Sequence, residues 1–217
     1  GKVSDRAWRI FVGLVLGAAA LAAITLPAAI GFALLAGEVV PLVLGEKWAD
    51  AIIVIERLAP VLGLQSLLLA TQSYAMALGR PQLVFWREVA FFCVRTPSFI
   101  FAALHWGLDG AVSAVALFGF VHFALNLHLY GRLSDAPFWE PVWAARRSLV
   151  AAAAMAGTIV LLKAALSAAG DIAMLALTIP LAGIVFAGVQ GGSWLLERRP
   201  AGIEAEICTR LGLLGSR

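Results

Sequence analysis

The sequence predicts an all-α, polytopic membrane helical bundle of about six transmembrane helices, and three observations predict it. The 217-residue chain is 62% hydrophobic and only 13% charged, about half the charged share of an average soluble domain. Its apolar residues fall in long continuous runs, and about 20 such residues suffice to cross a bilayer as a helix. Those runs also lack the two-residue alternation of a membrane barrel strand. The formal net charge of +3 is dispersed between the runs, which argues against a nucleic-acid partner. Cys93 sits in an apolar run and Cys208 in the polar tail, so neither a disulfide framework nor a metal site is expected, and no cofactor. The first run is too long for a signal peptide. The chain opens with Gly1 rather than Met, and we expect a C-terminal portion of a longer protein.

Six spans follow in order: Ile10–Leu44, Ala51–Leu78, Leu83–Leu104, Gly110–Tyr130, Leu149–Ala169 and Ile172–Leu196. The first overshoots the hydrocarbon as one helix, so it either tilts and projects or kinks at Pro27. Pro60, Pro97 and Pro180 sit in three other spans, where neighbouring helices can re-satisfy freed carbonyls. The runs divide the chain into four helices over 1–130, a connecting segment over 131–148, a trailing hairpin over 149–198 and a tail over 199–217. One set of connections holds Lys2, Arg6, Arg9, Arg80, Arg87, Arg132, Arg146, Arg147, Arg198, Arg199, Arg210 and Arg217; the other holds only Lys47. The positive-inside rule therefore puts both termini, the connecting segment and the tail in the cytoplasm. Trp8, Trp48, Trp86, Trp106, Trp139, Trp143 and Trp194 all fall near span ends, as an aromatic belt requires.

Three stretches share a common pattern. LPAAIGFALLAGEVVPLVLGEKWADA joins a membrane proline and small-residue packing to a glycine-aromatic turn. YAMALGRPQLVFWREVAFF closes a helix at Leu78-Gly79-Arg80-Pro81 before the next crossing. LHWGLDGAVSAVALFGFV is a short glycine-flanked turn into a small-residue helix. In their order and spacing these stretches, covering about residues 10–130, resemble the C-terminal half of polysaccharide-lipid flippases. Those are the O-antigen and exopolysaccharide exporters of the multidrug/oligosaccharidyl-lipid/polysaccharide exporter superfamily. The resemblance implies two pseudo-symmetric helical lobes around a central cavity in the cell inner membrane. This chain supplies most of the second lobe plus a trailing hairpin. Its implied partners are the bilayer, a polyprenyl-pyrophosphate-linked oligosaccharide and the missing N-terminal lobe.

Ionisable residues within spans mark a pathway or a pair. Arg95 lies near the middle of the third span, with Glu88 two turns earlier on the same face. Given the resemblance, Arg95 either faces the cavity and attracts a pyrophosphate or pairs internally to fix lobe packing. Glu56 and Arg57 are adjacent, so they point about 100° apart and need separate partners. Glu56, Pro60, Gly63 and Tyr74 share one stripe, and Gln65 and Gln72 another. These stripes line a cavity or form an interhelical seam. His122, Asn126 and Tyr130 recur every four residues on one face, with His128 off it. The default there is hydrogen-bonded packing, with proton coupling through His122 as the alternative, since the stretch lacks the company a metal needs. Lys163 snorkels towards Asp171, and Glu38 lies near the outer face. GAAALAA, AAAAMAG and GVQGG are small-residue packing runs; GVQGG lacks the features of a phosphate loop.

The expected function is thus flipping of lipid-linked oligosaccharide for surface polysaccharide biosynthesis, without enzymatic activity. The alternatives are a membrane-embedded polymerase or acyltransferase, against which the short outer loops argue, and a drug exporter of the same superfamily, against which Arg57 and Arg95 argue. A purely structural membrane subunit is the remaining alternative.

Overall fold

A chain of apolar runs must satisfy its backbone internally, and a helix does so within itself. The computed structural model is helical almost throughout, with no strand among the described residues. It describes residues 5–79, 81–134, 139–166 and 170–196, although the side chains of 5–19 and some others, including Tyr74, Asp171 and Trp194, are outside the description. Lys2, Arg80, Arg198, Arg199, Cys208, Arg210 and Arg217, and the tail as a whole, therefore lie outside it, as do the side chains of Arg6, Trp8 and Arg9.

Helix α1 (Asp5–Leu44) runs without a break through both Pro27 and Pro41. It stops at Gly45, whose φ of 87° and ψ of 163° form an extended, positive-φ backbone open chiefly to glycine. A single 3-10 turn leads into α2 (Asp50–Gln65). The second span does not continue as one α-helix to Leu78. It tightens into a 3-10 turn at Ser66–Leu68 and resumes as α3 (Leu69–Ala77). The Ser66 hydroxyl is 2.6 Å from the Gly63 carbonyl and 2.6 Å from the Thr25 hydroxyl on α1. A side chain that bonds back to the preceding turn favours this kind of tightening.

Helix α4 (Pro81–Ser134) starts on a proline, whose fixed φ suits the first helical position. Arg87 therefore lies in the helix, almost two turns in, as the span from Leu83 implied, although charge counting tallied it with a connection. Gly107, with φ 58° and ψ −143°, breaks the helical backbone. The chain doubles back there, so that the arms 81–106 and 108–134 lie side by side. Arg87 Nη1 is 2.9 Å from Asn126 Oδ1, whereas a straight helix would separate those residues by ~58 Å. The short α5 (Glu140–Ala144), α6 (Arg146–Ala165) and α7 (Asp171–Leu196) complete the chain. Tyr130 donates to Glu140 at 2.8 Å, tying the described part of the connecting segment back to α4.

Five helices are long and apolar enough to cross a membrane: Ala20–Leu44, Asp50–Leu68, Pro81–Leu133, Arg146–Ala165 and Ile172–Ser193. Helix α1 packs on α2 and α6, α4 on α2 and α3, and α6 on α7. Small residues set the closest approaches. A Cβ at Gly63 would lie 2.7 Å from that of Ala29, so α1 and α2 meet in a small-residue seam. One core cluster joins Ala22, Leu26, Leu67, Leu68, Ala145 and Ala152. A second joins Leu35, Met155, Ile159, Leu175 and Ala182 across α1, α6 and α7. The tryptophans whose side chains are described are all exposed.

Candidate functional site

Between α2 and the two arms of α4 lies a cavity of about 230 Å³, lined by residues including Leu58, Gln65, Phe91, Arg95, Gly119 and His122. Helical periodicity explains the selection. Positions 58 and 65 on α2, 91 and 95 on the first arm, and 119 and 122 on the second are each one or two turns apart on one face. Gly119 permits the approach, because a Cβ there would collide with the Val61 side chain and lie 3.1 Å from Gln65 Nε2. Gln65 is held by donating to the Gly119 carbonyl at 3.1 Å.

Arg95 is exposed at this cavity, with its guanidinium 5.7 Å from the centre of the Phe91 ring. That is cation–π range. No carboxylate pairs with it among the described residues. Glu88, two turns earlier, turns instead into a polar cluster. Its Oε1 accepts from Arg87 Nη2 and from Gln72 Nε2 at 3.5 Å, and lies 3.2 Å from His122 Nε2. Arg87 is 13% exposed and holds the cluster together. Its Nη1 donates to Asn126 Oδ1 at 2.9 Å, and Asn126 Nδ2 donates to the His122 carbonyl at 2.9 Å. The Phe91 ring lies 5.0 Å from the His122 ring, so it bridges this cluster to Arg95.

The structure thus brings Arg95, Gln65 and His122 to one cavity, and places Gln72 and Asn126 in the cluster behind it. The other two sequence candidates lie elsewhere. Arg57 is at the hairpin tip, 2.7 Å from Asp109 Oδ1, and also donates to the Asp109 carbonyl and the Ser113 hydroxyl. Glu56 is exposed and without a partner among the described residues. Tyr130 lies on the His122–Asn126 face but bonds to Glu140. Lys163 reaches Glu38 Oε1 at 2.8 Å and the Leu34 carbonyl at 2.9 Å, which ties α6 to α1; the Asp171 side chain expected as its partner is outside the description.

Sequence reasoning missed Arg87 as the anchor and Phe91 as the bridge. The seven-residue spacing from Glu88 to Arg95, with Phe91 between, was the available signal. No group of three metal-ligating side chains forms among the described residues. The arrangement offers one exposed guanidinium, an imidazole and an amide on an otherwise apolar wall, which suits an anion carried on an apolar ligand. The chain matches no family model, no curated protein and no solved structure.

Proposed function

We propose that this chain is the C-terminal portion of an integral membrane transporter. It flips lipid-linked oligosaccharide across the cytoplasmic membrane by alternating access, for surface polysaccharide biosynthesis. The observation that carries the reading is Arg95. Arg57, Arg87 and Lys163 each face a carboxylate, whereas Arg95 faces an aromatic ring and an open cavity. A cation left in a span without a carboxylate is most economically explained by an anion that arrives from outside the chain.

The α4 hairpin supports six crossings, since each arm is ~39 Å long and hydrocarbon is ~30 Å thick. Both termini and the Arg132–Arg147 segment are cytoplasmic on this reading, and Gly45–Trp48 and Gly107 lie outside. Arg95 engages the pyrophosphate, while Phe91 and the apolar wall accept the adjoining prenyl carbons. Rocking of this lobe against its counterpart then exposes the site to either face in turn.

The test is Arg95→Ala in the full-length protein, with surface polysaccharide and the lipid-linked precursor both measured. Export per unit of membrane protein should fall by ~10-fold or more, as for loss of ~1.4 kcal/mol of binding, and precursor should accumulate inside. Arg95→Lys should retain part of the activity, because a point charge replaces a fork. Normal export with a normally abundant Ala variant overturns the reading.

A further inference from the structure

A second cavity of about 230 Å³, between α1, α6 and α7, is a groove walled by apolar residues throughout, among them Pro27, Gly31, Val39, Met155 and Ile159. Two of its lining side chains, Phe32 and Ile179, are exposed, so the groove opens on the flank of the bundle. Along α1 it runs from Pro27 to Val39, a rise of ~18 Å. Hydrocarbon is ~30 Å thick, so this is about the depth of one leaflet. Lipid tails are as apolar as such a wall, and the wall alone selects no particular lipid. Selection needs polar groups at the mouth.

Glu38 and Lys163 supply them. Glu38 directly precedes the groove residue Val39, and Lys163 lies one turn beyond Ile159 on the same face of α6. Lys163 is in the last turn of α6 and Glu38 is within two turns of the end of α1, as a headgroup contact requires. Lys163 Nζ donates to Glu38 Oε1 at 2.8 Å and to the Leu34 carbonyl at 2.9 Å. An ammonium has three donors; the third has no acceptor among the described residues, and the side chain is 35% exposed. Glu38 Oε2 is shielded from solvent and has no donor among the described residues. A terminal carboxylate torsion is soft, so this oxygen can turn towards a donor that arrives at the mouth. The pair thus offers one donor and one acceptor side by side with no net charge. Its complement is a zwitterion whose phosphate accepts and whose ammonium donates.

We propose that this groove seats one acyl chain of phosphatidylethanolamine, whose phosphate accepts from Lys163 and whose primary ammonium donates to Glu38. Phosphatidylcholine fits the groove equally, but its quaternary ammonium carries no N–H, so Glu38 separates the two. The bound lipid closes the flank between α1 and the α6–α7 hairpin. The site shares no lining residue with the Arg95 cavity and stands or falls apart from the transport reading.

The test is native mass spectrometry of the full-length protein, released from nanodiscs of equimolar dioleoyl phosphatidylethanolamine and phosphatidylcholine. Wild type should retain one phosphatidylethanolamine, preferred over phosphatidylcholine by ~10-fold, as for one charge-assisted hydrogen bond in place of none. Stepwise N-methylation of the headgroup should lower retention, most steeply at the third methyl, which removes the last N–H; this series needs no variant. Replacing the pair by apolar residues, Lys163→Met with Glu38→Leu, leaves no charge unpaired and should retain the two lipids alike. Gly31→Leu projects into the groove, where a Cβ meets only Met155 Cε at 4.0 Å, and should lose both. Equal retention of all four headgroups by wild type, a preference that survives in the double variant, or no retained lipid overturns the proposal. So does tighter retention of phosphatidylglycerol, which would make Lys163 alone an anion site.

Discussion

The cavity between α2 and the α4 hairpin and the open one lined by α1, α6 and α7 are each about 230 Å³, yet their walls have opposite chemistry. The first exposes Arg95, Gln65 and His122. The second is walled by apolar residues such as Pro27, Phe32, Met155, Ile159 and Ile179. Charge is present near the second as well, because Lys163 lies one turn beyond Ile159, but there it is paired with Glu38. Volume therefore does not distinguish the two cavities. What distinguishes them is whether the cation at the wall has a carboxylate partner among the described residues, as Lys163 has and Arg95 does not.

The sharpest way to break this comparison is to put the same side chain into both cavities. Gly119→Leu drives a side chain into Val61 and should separate α2 from α4, destabilising by ~3 kcal/mol and abolishing export. At Gly183, on the apolar wall, a Cβ meets nothing within 4 Å. Gly183→Leu should leave export intact and raise helix stability by up to ~1 kcal/mol. Thermal unfolding in nanodiscs and export per unit protein read both, and equal damage at the two sites would erase the distinction.

Next in size is the paired charge. Lys163→Met leaves Glu38 unpaired in a partly buried setting and should cost about 2 kcal/mol. Adding Glu38→Gln should restore most of it, and a double-mutant cycle measures the coupling. Ile159→Ala enlarges the apolar cavity, and hydrocarbon can refill part of the space, so the loss should be nearer ~1 kcal/mol than the usual range for core truncation. Smallest is Asp109→Asn at the hairpin tip. The Arg57–Asp109 side chains are 38% and 60% exposed, so the change in melting should correspond to less than ~1 kcal/mol.

Element identity was legible because runs of 20 or so apolar residues admit little besides helix. The turn in HWGLDG was legible too, since Gly107 adopts a backbone that other residues avoid. Partnership was not. Charge counting tallied Arg87 with a connection because it groups residues by proximity to a span end, although the span starting at Leu83 already contained it and the helix starts at Pro81. Glu38 and Lys163 were each read locally, since nothing in a single sequence links an acid in the first helix to a base in the sixth. Arg57 was grouped with Arg95 as a cavity cation, although its partners Asp109 and Ser113 lie beyond a turn whose handedness only backbone geometry reveals. Periodicity places a residue on a face of its own helix, and says nothing about which helix comes to meet that face.

The Glu38–Lys163 bond also has a consequence for biogenesis. The two residues are about 125 positions apart, so at ~5–20 residues per second the carboxylate is synthesised roughly 6–25 s before the amine. An aspartate at a span centre weighs against insertion by ~2.5–3.5 kcal/mol, and Glu38, nearer the end of its span, faces a smaller penalty of the same kind. If the helices enter the bilayer in chain order, α1 first settles in a provisional register, with Glu38 drawn towards the interface. Arrival of α6 then pulls it to its final depth. A ribosome-arrested chain ending before α6 should accordingly show Glu38 at the water boundary, where a cysteine in its place reacts with an impermeant thiol reagent. The same cysteine in the finished protein should be shielded.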